Sequence, residues 1–272
     1  MRIVSWNLNF WQNWKNIKKR PEWKKSVLNY LNTLDCDFFL LQEINPTCLY
    51  DLDPDESKSR NKLVKESGKS AWIEFQLSDK AIFYNELDLE EIGAESAKEI
   101  VPWGNAIIAR GIANKPRLNP LPDGDNYCGR RLLECIDFSL KNGKTVSFIN
   151  FYGKNGSHSY PILEYGINDI EHTVKNNADK HLIILAGDFN SDPIKEPEYK
   201  KLFFGKLEEL GFVNCTQGLA FKNTMVSGAR SWPNDKVFVN KPYQDLVECS
   251  PQNDTNLELS DHKPIECIIT GY

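Results

Sequence analysis

The sequence predicts a single α/β domain. Short apolar runs of strand length alternate loosely with stretches of helical spacing from one end to the other. No segment repeats, and no Pro, Gly or Ser-rich linker divides the chain. With 40% hydrophobic and 11% aromatic residues among 272, there is enough apolar surface for one sizeable core, so the domain is taken as 1–272.

Taken in order, residues 2–6 read as an apolar strand that ends in Asn7 and Asn9, two positions apart and therefore on one side of the chain. Residues 10–25 interleave Trp11, Trp14 and Trp23 with Lys15, Lys18, Lys19, Arg20, Lys24 and Lys25. Cationic side chains beside aromatic faces suit a groove for phosphates and unstacked bases. The same pattern also suits a solvated helix face anchored to the core by its tryptophans. Pro21 fits the first turn of a helix through about residue 34, with Trp23, Val27, Tyr30, Leu31 and Leu34 along its core side. Residues 37–42 read as a second buried strand, and Glu43 stands at its exit.

The polar segment 51–70 carries no functional signal beyond one short helix near 61–66. Strands are expected at 71–77, 80–84 and 104–110. A long loop over 115–129, rich in Pro and Gly, leads through Arg130 and Arg131 to a strand over 132–138. Arg131 is a candidate to face a substrate, with an ordinary surface charge as the alternative. Asn142-Gly143 predicts a hairpin turn into a strand over 145–151. Tyr152 tips that strand, and the loop after it brings Asn155 and His158 as further candidates for substrate contact. A helix is expected over 160–176, and another over 199–210 with Leu202, Phe203, Leu207 and Leu210 inward. Strands at 235–239 and 265–269 enclose the segment LSDHKP at 259–264.

Between those helices lies LIILAGDFNSDP, 182–193, whose apolar run stops abruptly at Asp188 and Asn190. The arrangement repeats that of Asn7 and Asn9. An Asx turn closing a strand explains it structurally. A carboxylate and a carboxamide held at the mouth of a sheet also suit a hard cation or an attacking water.

The formal net charge of −5 argues against coating nucleic acid by bulk charge, while leaving room for a local basic patch. Seven cysteines, an odd number without a CxxC pair, suggest neither a disulfide framework nor a zinc site. No apolar run is long enough for a membrane helix, and Met1 followed directly by a strand leaves no room for a secretion signal. A cytoplasmic protein is expected.

Asn7, Glu43, Tyr152, Asp188, Asn190, Asp235, Asp261 and His262 all fall at strand ends or just beyond them, where open α/β sheets place their sites. The set offers oxygen ligands and one imidazole, which points to Mg²⁺ or Mn²⁺ and a phosphate ester.

These segments resemble the endonuclease/exonuclease/phosphatase superfamily, which includes deoxyribonuclease I and the abasic-site endonucleases. The resemblance rests on SWNLN at 5–9, LQE at 41–43, INFYGKNG at 149–156, GDFNSDP at 187–193, DKVFV at 235–239 and SDHKP at 260–264. It implies a four-layer α-β-β-α sandwich with two packed mixed β-sheets flanked by helices. It also implies metal-dependent hydrolysis of phosphate esters by in-line attack of an activated water. Glu43, Asn7 and Asp261 would then surround the metal. Asp188 would orient or deprotonate the water, Asn190 would hold the water or a phosphate oxygen, and Tyr152 would bond the phosphate or the leaving oxygen. His262 would contact the phosphate or act as base, with Asp235 fixing its tautomer. Asn9 stands where the abasic-site branch carries an aspartate, which would make one metal contact a neutral oxygen.

The expected activity is that of a nuclease on DNA or RNA, with Asn9, Trp11, Lys18, Lys19, Lys24, Arg131, Asn155 and His158 as substrate contacts. A phosphatase acting on a phosphoinositide or other small ester is the second reading, for which SWPNDKVF at 231–238 gives a faint signal. A binding protein that has kept the fold without the chemistry is the third.

Overall fold

The computed structural model describes residues 1–9, 20–44, 73–77, 80–86, 104–110, 117–118, 132–153, 167–168, 170–171, 174–175, 181–190, 198–218, 224–227, 230–252 and 259–272. Its strands are β1 (Arg2–Asn7), β2 (Phe38–Ile44), β3 (Ile73–Leu77), β4 (Lys80–Glu86), β5 (Gly104–Arg110), β6 (Arg117–Leu118), β7 (Leu132–Ser139) and β8 (Thr145–Tyr152). They continue with β9 (Leu182–Asp188), β10 (Phe212–Asn214), β11 (Met225–Ser227), β12 (Arg230–Trp232), β13 (Asp235–Asn240), β14 (Val247–Pro251) and β15 (Ile265–Ile269). Two helices are α1 (Arg20–Thr33) and α2 (Glu198–Glu209), and the described residues within 167–175 are helical as well.

Thirteen of these strands form two mixed sheets, a seven-stranded one in the order β14-β15-β1-β2-β5-β4-β3 and a six-stranded one in the order β10-β13-β9-β8-β7-β6. The sheets share a plan. At the centre of each lies a parallel pair, β1 with β2 and β8 with β9, flanked by antiparallel neighbours. The C-terminal ends of the parallel strands and the N-terminal ends of β13 and β15 therefore emerge on one side of the molecule.

The alternation of side chains along each strand builds the layers. Ile3, Phe38, Leu40, Ile107, Phe138, Val146, Phe148, Ile184, Val237 and Ile265 fill the space between the sheets. There the rings of Phe38, Phe138 and Phe148 meet with centroids 4.6–5.7 Å apart. Side chains of opposite parity, including Ile149, Phe151, Ile183, Leu185 and Phe238, turn outward against Phe203 and Leu207 of α2 and Ile170 and Val174. On the other sheet Trp6 packs edge-on to Tyr30 of α1, and Arg110 of β5 donates to the carbonyls of Leu31 and Leu34 at the helix C-terminus. This is the α-β-β-α sandwich.

Three sequence expectations change. Leu202 is 57% exposed rather than inward, and Phe204, four residues before Glu208, joins Phe203 and Leu207 against the sheet instead. Among the described side chains of α1, Val27 and Leu31 are fully buried, while Trp23 and Tyr30, and Leu34 just past its end, lie along the margin. Glu43 lies inside β2 rather than after it, because the strand continues to Ile44 through an irregularity in its pairing. Among the described residues the cysteines are free thiols, and no helix is long and apolar enough to cross a membrane.

Candidate active site

The exits of β1 and β9 have one local design. The Asn9 N–H donates to Asn7 Oδ1 at 2.8 Å, and the Asn190 N–H donates to Asp188 Oδ1 at 2.7 Å. Both are Asx turns, and Asn9 and Asn190 sit in the left-handed region with φ of 46° and 47°, which asparagine tolerates better than most residues. The turn and the functional geometry are therefore the same feature. Each turn leaves a polar side chain at the strand tip aimed into the space between the sheets.

Asn7, wholly buried, ties the two sheets together there: its Nδ2 donates to Asp188 Oδ2 at 2.8 Å and to Glu43 Oε1 at 3.3 Å. The Tyr152 hydroxyl donates to the same Glu43 oxygen at 2.8 Å. Asn190 Nδ2 donates to Asp188 Oδ2 at 3.0 Å and to the Gly153 carbonyl at 2.8 Å. Glu43 itself has φ of 50°, a left-handed conformation rare for a residue of its type.

His262 stands opposite. Its Nδ1 lies 2.9 and 3.1 Å from the two oxygens of Asp235, and its Nε2 lies 3.9 Å from Asp188 Oδ2 and 3.8 Å from Asp261 Oδ1. An imidazole clamped at Nδ1 by a carboxylate presents Nε2 to the chamber. The register of β13 against β9 pairs Asp235 with Asp188, which is why the two aspartates flank one ring. Asp261 Oδ1 accepts from Asn9 Nδ2 at 2.5 Å.

Burial sets the proton affinities. Desolvation pushes Glu43 above the usual carboxylate range, with the Tyr152 and Asn7 hydrogen bonds opposing it. It pushes Asp188 up to about 7 against the pull of His262, with Asp235 adding to the rise. Asp261 rises for the same reason. Burial alone would lower His262, but the charges of Asp235 and Asp188 outweigh it and carry the imidazole up to about 10.

This donor set fits a hard divalent cation. Three carboxylates are held where desolvation disfavours their charge, and a dication would offset that cost. Asp188, Asp235 and His262 bring three ligand atoms within 4.8 Å of one another. Glu43, Asn7 and Asp261, the set expected from sequence, lie around the same chamber, although Asn7 turns its amide nitrogen, and not its oxygen, toward Glu43 and Asp188.

The His262 loop is held by residues to which the sequence assigns no such role, among them Trp23, which reads as either a groove or a core residue. Ser260 Oγ donates to the Asn7 carbonyl at 2.7 Å and accepts the His262 N–H at 3.0 Å. Trp6 Nε1 donates to the His262 carbonyl at 2.9 Å, and Trp23 Nε1 to that of Leu259 at 2.5 Å. Thr224, buried, accepts the Asp235 N–H through its hydroxyl, and its carbonyl accepts the Lys263 N–H. A polar residue inside an apolar run, such as Ser5, Gln42 or Asn150, is the available signal for such internal partners.

Of the expected substrate contacts, Asn9 belongs to this cluster. Trp11, Lys18, Lys19, Arg131, Asn155 and His158 lie outside the described residues, and Lys24 is described only as part of the α1 backbone.

No family model matches the chain, and no curated protein does. Solved structures do. A humanised D. rerio TDP2 carrying 14 mutations aligns with a TM-score of 0.62 at 14% identity, over 98% of this chain and 97% of that one. The AP endonuclease LMAP from Leishmania major aligns at 0.61 and 14%, over 98% and 87%. An endonuclease/exonuclease/phosphatase family protein from Leptotrichia buccalis aligns at 0.58 and 16%, over 99% of both chains. The chain has the endonuclease/exonuclease/phosphatase fold.

Proposed function

We propose that this protein is a divalent-metal-dependent phosphodiesterase, a nuclease that hydrolyses DNA or RNA. The observation that carries the reading is the chamber in which the Asp235–His262 pair faces Asp188, with Glu43, Asn7, Tyr152 and Asn190 completing the wall. Phosphodiester hydrolysis needs a group that takes a proton from water, positive charge near the phosphoryl oxygens, and fixed donors around them. The chamber supplies all three. Names of structural neighbours, an AP endonuclease and an endonuclease/exonuclease/phosphatase family protein among them, support a phosphoric ester hydrolase.

Asp188, poised near neutrality, accepts the proton of the attacking water, and Asn190 orients that water. His262 stays protonated at neutral pH and donates from Nε2 to a phosphoryl oxygen. Asp235 keeps the imidazolium charged and correctly turned. Tyr152 donates to the carboxylate of Glu43 and so holds it for the cation. Glu43, with Asp261 nearby, would hold Mg²⁺ or Mn²⁺, which when bound would supply Lewis acidity toward the phosphate. The interleaving of Trp11 with Lys18, Lys19 and Lys24 in the sequence supports a polynucleotide as the substrate.

The test is hydrolysis of single-stranded DNA, duplex DNA with and without an abasic site, RNA, and an inositol phosphate, each with Mg²⁺, Mn²⁺ or EDTA. Metal-dependent cleavage of a polynucleotide by the wild type, lost in Asp188→Asn, is the expected result. Replacing Lys18, Lys19 and Lys24 together should weaken polynucleotide binding and flatten its salt dependence. Phosphate release from the small ester alone would make this a phosphatase and the lysines ordinary surface.

A further inference from the structure

Asn150 belongs to none of the groups assigned above, yet it is wholly buried at the centre of the sandwich, two residues before Tyr152 on the inward face of β8. Its amide reaches across to the other sheet. Nδ2 donates to the Leu41 carbonyl of β2 at 2.9 Å and to the Ala106 carbonyl of β5 at 3.0 Å, while Oδ1 accepts from Gln42 Nε2 at 2.6 Å. Gln42 in turn donates to the Leu40 carbonyl at 3.0 Å.

The place it grips is where β2 leaves regular pairing. Leu41 pairs with Ala106 but Ile44 pairs with Gly104, so Gln42 and Glu43 together oppose Asn105. Two residues facing one is a β-bulge, a device that re-aims a side chain. Here it coincides with the left-handed φ of Glu43, a conformation that is disfavoured for a glutamate and persists only where its surroundings enforce it. Asn150 bonds both carbonyls of the Leu41–Ala106 pair that immediately precedes the bulge, and the side chain of Gln42, one of the two bulged residues. One strand thus reaches Glu43 at two levels: Asn150 bonds the Leu41 carbonyl two residues before it, and Tyr152 bonds its carboxylate.

We infer that Asn150 is a positioning residue that holds the β2 bulge so that the Glu43 carboxylate meets the divalent cation. It acts through Glu43 and touches neither cation nor phosphate. This rests on the proposed cation role of Glu43.

The test is Mn²⁺ affinity of the full chain, measured by calorimetry or by the paramagnetic signal of free Mn²⁺, without substrate. Asn150→Ala should weaken Mn²⁺ roughly 10- to 100-fold, the usual consequence of removing an outer partner of a metal ligand. Asn150→Ser, which keeps one donor, should fall between it and the wild type, and it carries the test if Asn150→Ala does not fold. Phe148→Leu, on the same strand and face, should lower Tm without changing Mn²⁺ affinity. Affinity within about twofold of wild type in the folded Asn150 variants overturns the inference, as does an equal loss in Phe148→Leu. If the wild type binds no Mn²⁺, or Glu43→Gln binds it equally well, the cation reading itself fails and takes this inference with it.

Discussion

At the scale of single residues, the chamber is expensive to build without a cation. Glu43, Asp188 and His262 all bind a proton more tightly in the folded chain than the unfolded one, the carboxylates because burial disfavours their charge, the imidazole because Asp235 and Asp188 favour its own. The folded state then holds the extra protons, so the stability they contribute is complete below the unfolded values. For Asp188 it is lost as pH rises from the ordinary aspartate value of 3.8 through about 7, and for His262 from 6.5 through about 10. In EDTA, thermal stability should therefore decline from pH 5 to pH 9. Asp188→Asn should remove the part of the slope below pH 7 and raise Tm at pH 8, while lowering turnover roughly 10²- to 10⁴-fold. A variant that is both inactive and less stable at pH 8 would contradict the assignment. Asp235→Asn tests the other half of the pair. An amide in place of the carboxylate removes the charge that keeps His262 protonated, so the imidazole pKa, followed by NMR, should fall and kcat should drop about 10²- to 10⁴-fold.

Among the elements, β9 shows how close backbone approach makes the site. Gly187 has φ of 148°, and a Cβ there would stand 1.9 Å from the Phe151 carbonyl of the neighbouring parallel strand. No flexible side chain can yield, because the obstacle is backbone. Gly187→Ala should destabilise the protein by about 3 kcal/mol or more, visible as a drop in Tm or loss of soluble protein. The same strand also marks what was legible in the sequence. Its apolar run and the polar pair after it were readable, as were the starts of β1 and β13, because a strand buried on both faces must be continuously apolar and must stop where a polar side chain is needed. Short pieces such as β10, β11 and β14 were not, since three to five residues of mixed character owe their conformation to the neighbour they pair with. The bulge at Glu43 was equally hidden: nothing in the local string LQEI predicts a left-handed glutamate, and the side chain that bonds the strand just before it, Asn150, is more than a hundred residues away.

For the whole molecule, the decisive fact is that the chamber belongs to both sheets. Asn7 and Glu43 come from one, and Tyr152, Asp188 and Asp235 from the other, while Asp261 and His262 lead into β15 of the first. Alternation of strands and helices announced an α/β domain but could not say that two sheets face each other; that arrangement came from the family resemblance. The proposed cation holders Glu43 and Asp261 belong with the first sheet, but Tyr152 and Asp188 of the second bond Glu43 and Asn7, so neither sheet completes the chamber alone. Binding should then stabilise the sandwich as a unit, by RT ln(1 + [L]/Kd), which is about 2.7 kcal/mol at a cation concentration of 100 Kd. For a domain of this size each kcal/mol moves Tm by about 2 °C, so Mn²⁺ at that concentration should raise Tm by roughly 5 °C. The rise should appear at pH 8, where the carboxylates are ionised for the cation, and shrink at pH 5, where protons compete for them. Glu43→Gln should show little of it. A shift of equal size in Glu43→Gln, or one that does not depend on pH, would place the bound ion elsewhere on the protein.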